Sequence, residues 1–138
     1  MSTSPDDLNA RIIEEFRGNQ GRVGGPFAGA TLLLLHHTGA KSGRERVNPL
    51  AYLPDGGRYV VFASKAGAPS HPAWYHNLKA NPRARIEVGT ETLDVLAREA
   101  TGEERERLFR AQVERSPQFG EYQRKTERLI PAIVLTPA

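Results

Sequence analysis

Two tight-turn signals, Asp55-Gly56-Gly57 and Gly89-Thr90, constrain this chain most, because each sits between two segments of extended-type alternation. A turn this short joins only antiparallel neighbours, whereas a parallel crossover needs about a dozen residues or more. Arg46 to Leu53 with Arg58 to Ser64 reads as one hairpin, and Arg83 to Val88 with Thr92 to Arg98 as the second. Leu32 to Leu35 is a continuous apolar run, as expected of a strand buried on both faces, and Ile130 to Leu135 is a second apolar strand that closes the sheet. Pro49 lies inside its strand, where the missing N–H demands an edge, a bulge or a ligand-facing side. About six strands without βαβ alternation predict the α+β class, with a mainly antiparallel sheet curled into a small barrel and flanked by helices.

The helices are punctuated by their caps. Ser4-Pro5-Asp6-Asp7 starts one, with Leu8, Ile12 and Phe16 as its apolar stripe and an end near Gly18. From Gly18 to Gly29, five glycines and Pro26 read as a loop or lid, so residues 1–30 form an N-terminal helix and lid and residues 31–138 the barrel domain. Pro72 opens a short helix over Ala73 to Lys79, closed by Asn81-Pro82. Thr101 with Glu104 reads as a capping box for a helix carrying Leu108, Phe109, Ala111 and Val113 to about Arg115. Ser116-Pro117 breaks it, and Phe119 to Arg128 reads as a last helix.

A chain of 138 residues is the size of one domain. It has no cysteine, which removes disulfide and thiolate chemistry. No apolar run is long enough to span a bilayer and no secretion signal is visible, so the expectation is a soluble, cytoplasmic protein. The N-terminal helix offers at most a peripheral membrane contact, against which its acids at 6, 7, 14 and 15 argue. A net charge of +3 favours an anionic partner.

The chemistry concentrates at residues 38–50. Lys41, Arg44 and Arg46, with Thr38, Ser42, Gly39 and Gly43, place cations, hydroxyls and turn-forming glycines directly after an apolar strand. Main-chain N–H groups and cationic side chains together suit an anion. Ala40 occupies the position where a P-loop requires glycine, so this is either another kind of anion site or a solvated basic hairpin. Ser64, Lys65 and Gly67 repeat the pattern after the third strand, and both loops converge on one cleft if the hairpins pair as adjacent strands. Trp74 and Asn77 share a helix face and offer a planar heterocycle a flat wall and an amide; for Trp74, a plain core anchor is the other reading. His36 and His37 point to opposite faces of a strand, and His71 and His76 lack a companion carboxylate or cysteine, so no metal site is expected. Ser42 and Ser64 lack the setting of a hydrolytic nucleophile.

Thr38-Gly39-x-Lys41-Ser42-Gly43, Arg46-x-x-Pro49-Leu50, Ala63-Ser64-Lys65-x-Gly67, Pro72-x-Trp74-x-x-Asn77-Leu78 with Asn81-Pro82, and Ile130-Pro131 together resemble the deazaflavin-dependent nitroreductase family of actinobacteria, from about Thr31 onward. The resemblance implies a split β-barrel that transfers hydride from reduced coenzyme F420 to a small quinone, enone or nitroaromatic acceptor. It implies that Lys41, Ser42 and Arg46 hold the coenzyme's charged tail, and that Ala40, Val47, Ala51 and Ala73 also belong to the coenzyme site. Asn48, Pro49, Leu50, Ala63, Ser64 and Lys65 would line the ring and Trp74 and Asn77 close that pocket, with Ser64 and Lys65 in the catalytic role of orienting the ring and stabilising its charge. Where relatives carry tyrosines, this chain has Ala51, Ser116 and Phe119, with Tyr122 retained, so Ala51, Phe119 and Tyr122 border a substrate pocket expected to be roomier and poorer in proton donors. A homodimer is compatible with the resemblance. An FMN reductase on the same barrel, or a non-enzymatic binder of deazaflavin or nucleic acid, are the rival readings, although the core-like spacing of the aromatics disfavours nucleic acid.

Overall fold

The computed structural model describes residues 5–19 and 31–138, with side chains throughout these except at 5–9 and 66. The Ser4 cap, the Leu8 side chain and the glycine-rich stretch beyond Asn19 therefore lie outside the described residues. In chain order the described elements are α1 (Pro5–Gly18), β1 (Leu32–Thr38), β2 (Glu45–Ala51), β3 (Leu53–Asp55), β4 (Arg58–Phe62), α2 (Ala73–Ala80), β5 (Arg83–Val88), β6 (Glu91–Ala100), α3 (Gly102–Arg115), α4 (Gln118–Arg124) and β7 (Ala132–Pro137), with a 3-10 turn at Lys65–Gly67. The fold is α+β, as the hairpin pattern predicted.

One seven-stranded sheet runs in the order β2-β1-β5-β6-β7-β4-β3, and every pairing is antiparallel. The 46–53 segment is not one strand. It breaks at Tyr52, so β2 and β3 sit at opposite edges of the sheet although a single residue joins them. Were the sheet flat, six spacings of about 4.8 Å would hold those edges roughly 29 Å apart. Two trans peptides reach at most about 7 Å. The sheet must therefore curl until β2 and β3 approach each other at Tyr52, whose N–H donates to Thr31 O at 3.0 Å as the next rung of the β1–β2 ladder. The continuous meander expected from the sequence is thus two hairpins at opposite edges, and β1 and β4 are not neighbours. Pro49 is on an edge strand, pairing only with Leu34 of β1, and so satisfies the requirement that the sequence set.

Alternation along the strands divides the apolar side chains into three groups. Leu33 and Leu35 of β1, Val61 of β4 and Ile133 and Leu135 of β7 point into the barrel, where Trp74 and Leu78 of α2 cap them. Val60, Phe62, Ala132 and Val134 point outward beneath Leu108 and Phe109 of α3 and Phe119 of α4. Leu32 and Leu34, on the other face of β1, are covered by Ile12 and Phe16 of α1. Arg17 of α1 adds a two-pronged bond to Glu87 on β5, at 3.0 and 2.7 Å. The apolar stripe that offered a membrane contact is spent on the barrel.

Thr101 occupies the N-cap of α3 but makes no side-chain cap bond, and the Glu104 carboxylate turns to Arg98, at 2.6 and 3.1 Å. The expected capping box is therefore absent. The last helix also stops at Arg124, short of Arg128.

Phe16 is 1% exposed, so Phe16→Ala removes a fully buried ring and should cost about 3–5 kcal/mol in urea unfolding. A loss below about 1 kcal/mol would mean that α1 does not dock as described.

Candidate functional site

The turn after β1 is built by its glycines. Gly39 N–H donates to Arg44 O at 2.8 Å, Gly43 N–H to Gly39 O at 2.9 Å, and Gly43 has φ +70°, a left-handed conformation that glycine adopts without strain. The Arg44 N–H donates to the Ser42 hydroxyl at 3.2 Å, and a Cβ on Gly39 would meet that oxygen at 2.4 Å. Lys41, Ser42, Arg44 and Arg46 are exposed.

A buried polar chain fixes this loop to the rest. The Ala40 N–H donates to Asn77 Oδ1 at 2.9 Å, so the Asn77 NH2 must be the donor to His37 Nδ1 at 3.0 Å. His37 then carries its proton on Nε2 and donates to Asn48 Oδ1 at 2.7 Å. What Asn48 can still offer a ligand is its NH2. Burial, with Arg46 and His36 adding to it, holds the His37 pKa below the ordinary imidazole value against the Asn48 bond, so the ring stays neutral and the relay keeps its direction.

The second loop is held from behind. Arg128 donates to the carbonyls of Ala63, Ser64 and Ala68 at 3.0, 2.8 and 3.0 Å and bonds His71 Nδ1 at 3.0 Å. Lys65 has φ +47°, an uncommon conformation for a residue with a side chain, and its ammonium bonds the Ser70 hydroxyl at 3.3 Å. Gly67 has φ +83°, and a Cβ there would press on Tyr122 O at 2.8 Å, so the loop lies directly on α4. Arg105 in turn fixes the segment carrying Arg128: it donates to Ile130 O and to Gln123 Oε1, and Gln123 donates to Arg128 O.

A cleft of about 520 Å³ opens between these parts. Asn48, Leu50, Ala51, Ser64, Lys65 and Trp74 line it, with Phe119 and Tyr122 from α4. Ala40, Lys41, Ser42, Arg46, Val47, Pro49, Ala63, Ala73 and Asn77 do not. Lys41, Ser42 and Arg46 belong to the exposed loop and its strand, and Asn77 has both ends of its amide engaged inside the protein. The sequence reading missed Thr31, Tyr52, Phe62, Pro72, Gln112 and Arg115 on the same wall. Tyr52, Phe62 and Pro72 stand within two residues of the predicted Ala51, Ser64 and Trp74, whereas only the fold brings in Thr31, Gln112 and Arg115. Lys65 and Arg115 are the cations on the wall, and among the described residues no carboxylate joins them. A second hollow of about 610 Å³ borders His36, Glu45, Arg83, Arg85, Asp94 and Leu96. Its charges are mixed and paired with one another, as in Arg85 with Asp94 at 3.1 Å, and it holds none of the predicted site residues.

A flat indole, hydroxyl and amide donors and a wall without carboxylate, next to a loop of free cations, fit a planar group with an anionic tail. The F420H(2)-dependent quinone reductase family model matches residues 10–137. The chain belongs to the F420H2-dependent quinone reductase family. An F420H(2)-dependent quinone reductase of Mycobacterium tuberculosis is 42% identical over 125 residues, covering 88% of this chain and 84% of the relative. A solved F420-H2 dependent reductase (FDR-A) is 46% identical, covers 76% of this chain and 93% of its own, and superposes with a TM-score of 0.71. A second solved relative, described as a domain-swapped dimer, is 41% identical over 96% of this chain and 99% of its own, with a TM-score of 0.73. The FDR-A structure shares the split-barrel fold that the resemblance implied.

For this reductase the pH response of His37 has a definite sign. Above about 6.5, the ordinary imidazole value, both folded and unfolded chains hold the ring neutral and the relay contributes in full. Below it, the unfolded chain takes a proton that the folded chain refuses, so stability falls as the pH drops towards the folded value. Urea unfolding at pH 7 and pH 5 should show a loss that shrinks in His37→Gln; equal losses in both proteins would contradict the neutral, buried ring.

Proposed function

We propose that this chain catalyses two-electron reduction of a small organic acceptor, of quinone or enone type, by reduced coenzyme F420. The observation that carries the reading is the convergence of a carboxylate-free cleft, walled by Trp74, with an exposed cationic loop tied to the helix of Trp74 through Asn77. When bound, the coenzyme supplies hydride. The protein's part is placement and electrostatics. Lys41, Ser42 and Arg46, with Arg44 beside them, hold the tail's negative charge. Trp74, Leu50 and Ala51 give the ring its apolar surroundings, while Asn48, Ser64 and Lys65 offer it donors. Asn77 acts through the loop it anchors and not by touching the ring.

Ser64 is almost buried, and Arg128 bonds to the carbonyls of Ala63, Ser64 and Ala68, so the main chain that presents their donors is set before any ligand arrives. Preorganised donors of this kind stabilise charge that develops during transfer, because they need not reorient. Desolvation by Trp74, Phe62 and Phe119 strengthens the same interactions.

The reading puts the enzyme in the cytoplasm. Its support is the cysteine-free composition and an α1 whose buried stripe leaves little apolar surface for a membrane; no described helix is long and apolar enough to cross one. Self-association belongs to the proposal too, supported by the domain-swapped relative, and light scattering checks it.

Titration with reduced and oxidised coenzyme F420, with FMN for comparison, followed by a panel of quinones, enones and nitroaromatics, tests the proposal. Deazaflavin binding with quinone turnover is expected; binding of FMN alone would sink it. Lys41→Ala and Arg46→Ala should raise the coenzyme Kd about three- to fivefold at low salt and flatten its salt dependence, the range for exposed charge pairs. Lys65→Ala should slow hydride transfer on the order of 100-fold with coenzyme saturating. Unchanged Kd values and rates would overturn these roles.

A further inference from the structure

Hydride alone does not complete the reduction of a carbonyl-bearing acceptor, whose oxygen must also gain a proton. Ser64 and Lys65 are assigned to the coenzyme, so the remaining donors on the cleft wall become the question. Among them are Tyr122 of α4 and, where β2 and β3 approach, Tyr52 and Arg115. Tyr52 is the one-residue link between β2 and β3, its N–H bonded to Thr31 O at 3.0 Å and its ring packed edge-on against Tyr59 with centroids 5.3 Å apart. Arg115, at the end of α3, donates to the Thr31 hydroxyl at 3.1 Å and has no carboxylate partner among the described residues. Thr31 thus bonds the main chain of Tyr52 through its carbonyl and the side chain of Arg115 through its hydroxyl, and all three residues border the cleft.

We infer that Tyr52 donates the proton to the acceptor's oxygen, with Arg115 stabilising the phenolate left behind. The inference rests on the reductase reading and adds to it the proton source. The step balances as follows for an enone. Hydride from the reduced coenzyme forms a C–H bond at the β-carbon, the C=C pair moves to the adjacent C–C bond, and the carbonyl π pair moves to oxygen. The Tyr52 O–H bond breaks as the enol O–H forms, and the phenolate recovers its proton from water. Net, the acceptor gains two electrons and two hydrogens.

Two further features agree with this assignment. Burial, with Tyr59 next, pushes the Tyr52 phenol above its ordinary value, so it is a proton carrier at neutral pH, and Arg115 acts in the opposite sense, which eases loss of that proton. The pocket that substitution at Ala51, Ser116 and Phe119 was expected to leave poor in donors has one from the residue next to Ala51.

Tyr52→Phe keeps the ring and its packing and removes only the hydroxyl. With a water-soluble naphthoquinone or cyclohexenone, kcat should fall about 100-fold while the coenzyme Kd stays the same. Hydride transfer to N-methylphenazinium, a cation that becomes neutral on accepting hydride and needs no proton, should be unchanged. Naphthoquinone binding without coenzyme, read through Trp74 fluorescence, should weaken about fivefold, the value of one hydrogen bond. Normal quinone turnover by Tyr52→Phe overturns the proton-donor role, as does an equal loss with N-methylphenazinium. Failure of the unsubstituted protein to reduce any acceptor would overturn this inference together with the reductase reading beneath it.

Discussion

The single-residue link at Tyr52 is the constraint on which the molecule depends. Seven strands in one antiparallel sheet have two distant edges, and a connection two peptides long between them admits no open arrangement. Curling creates an interior for Leu33, Leu35, Val61, Ile133 and Leu135, and leaves β2 and β3 as the two edge strands. The short β3 and the proline in β2 blunt what edge remains. The cleft opens at this seam, which explains why its wall draws on residues as far apart as Thr31, Tyr52 and Arg115.

Around the seam, buried polar groups do the positioning. Such groups are costly unless every donor and acceptor is met, and among the described residues no buried side-chain polar atom lacks a partner. The relay Ala40, Asn77, His37, Asn48 sets the cationic loop relative to the cleft wall, and Arg128 sets the loop of Ser64 and Lys65. Arg105, 3% exposed and stacked 4.2 Å over Phe109, holds the segment that carries Arg128. Loops held by such bonds on a curled sheet suit a reaction whose rate depends on holding two reactants at near-contact distance.

Much of this was legible in the sequence because it is written locally. Leu32 to Leu35 needed only four consecutive apolar residues to be recognised as a strand covered on both faces, and Asp55-Gly56-Gly57 fixed its hairpin without help from elsewhere. The break at Tyr52 was not legible, since Leu50 to Leu53 continues an extended pattern and the cause of the break lies across the sheet. Glu104 stands where a capping box would use it, yet Arg98, from the preceding strand, claims it. Arg105 and Arg128 look like solvated charges in a list of residues; their carbonyl partners are 25 and more positions away or come from another loop. Asn77 was identifiable as an amide near the site, but only the fold shows that Ala40 and His37 already occupy it.

The central claim is that Trp74 and the loop of Ser64 and Lys65 face one electron-carrying ring whose charged tail lies along the loop of Lys41. Trp74 is the only tryptophan in the chain, so its emission reports on that wall alone. Adding oxidised coenzyme F420 to the purified protein should quench it saturably, with one equivalent per chain. Emission that stays constant at coenzyme concentrations that saturate turnover would contradict the claim.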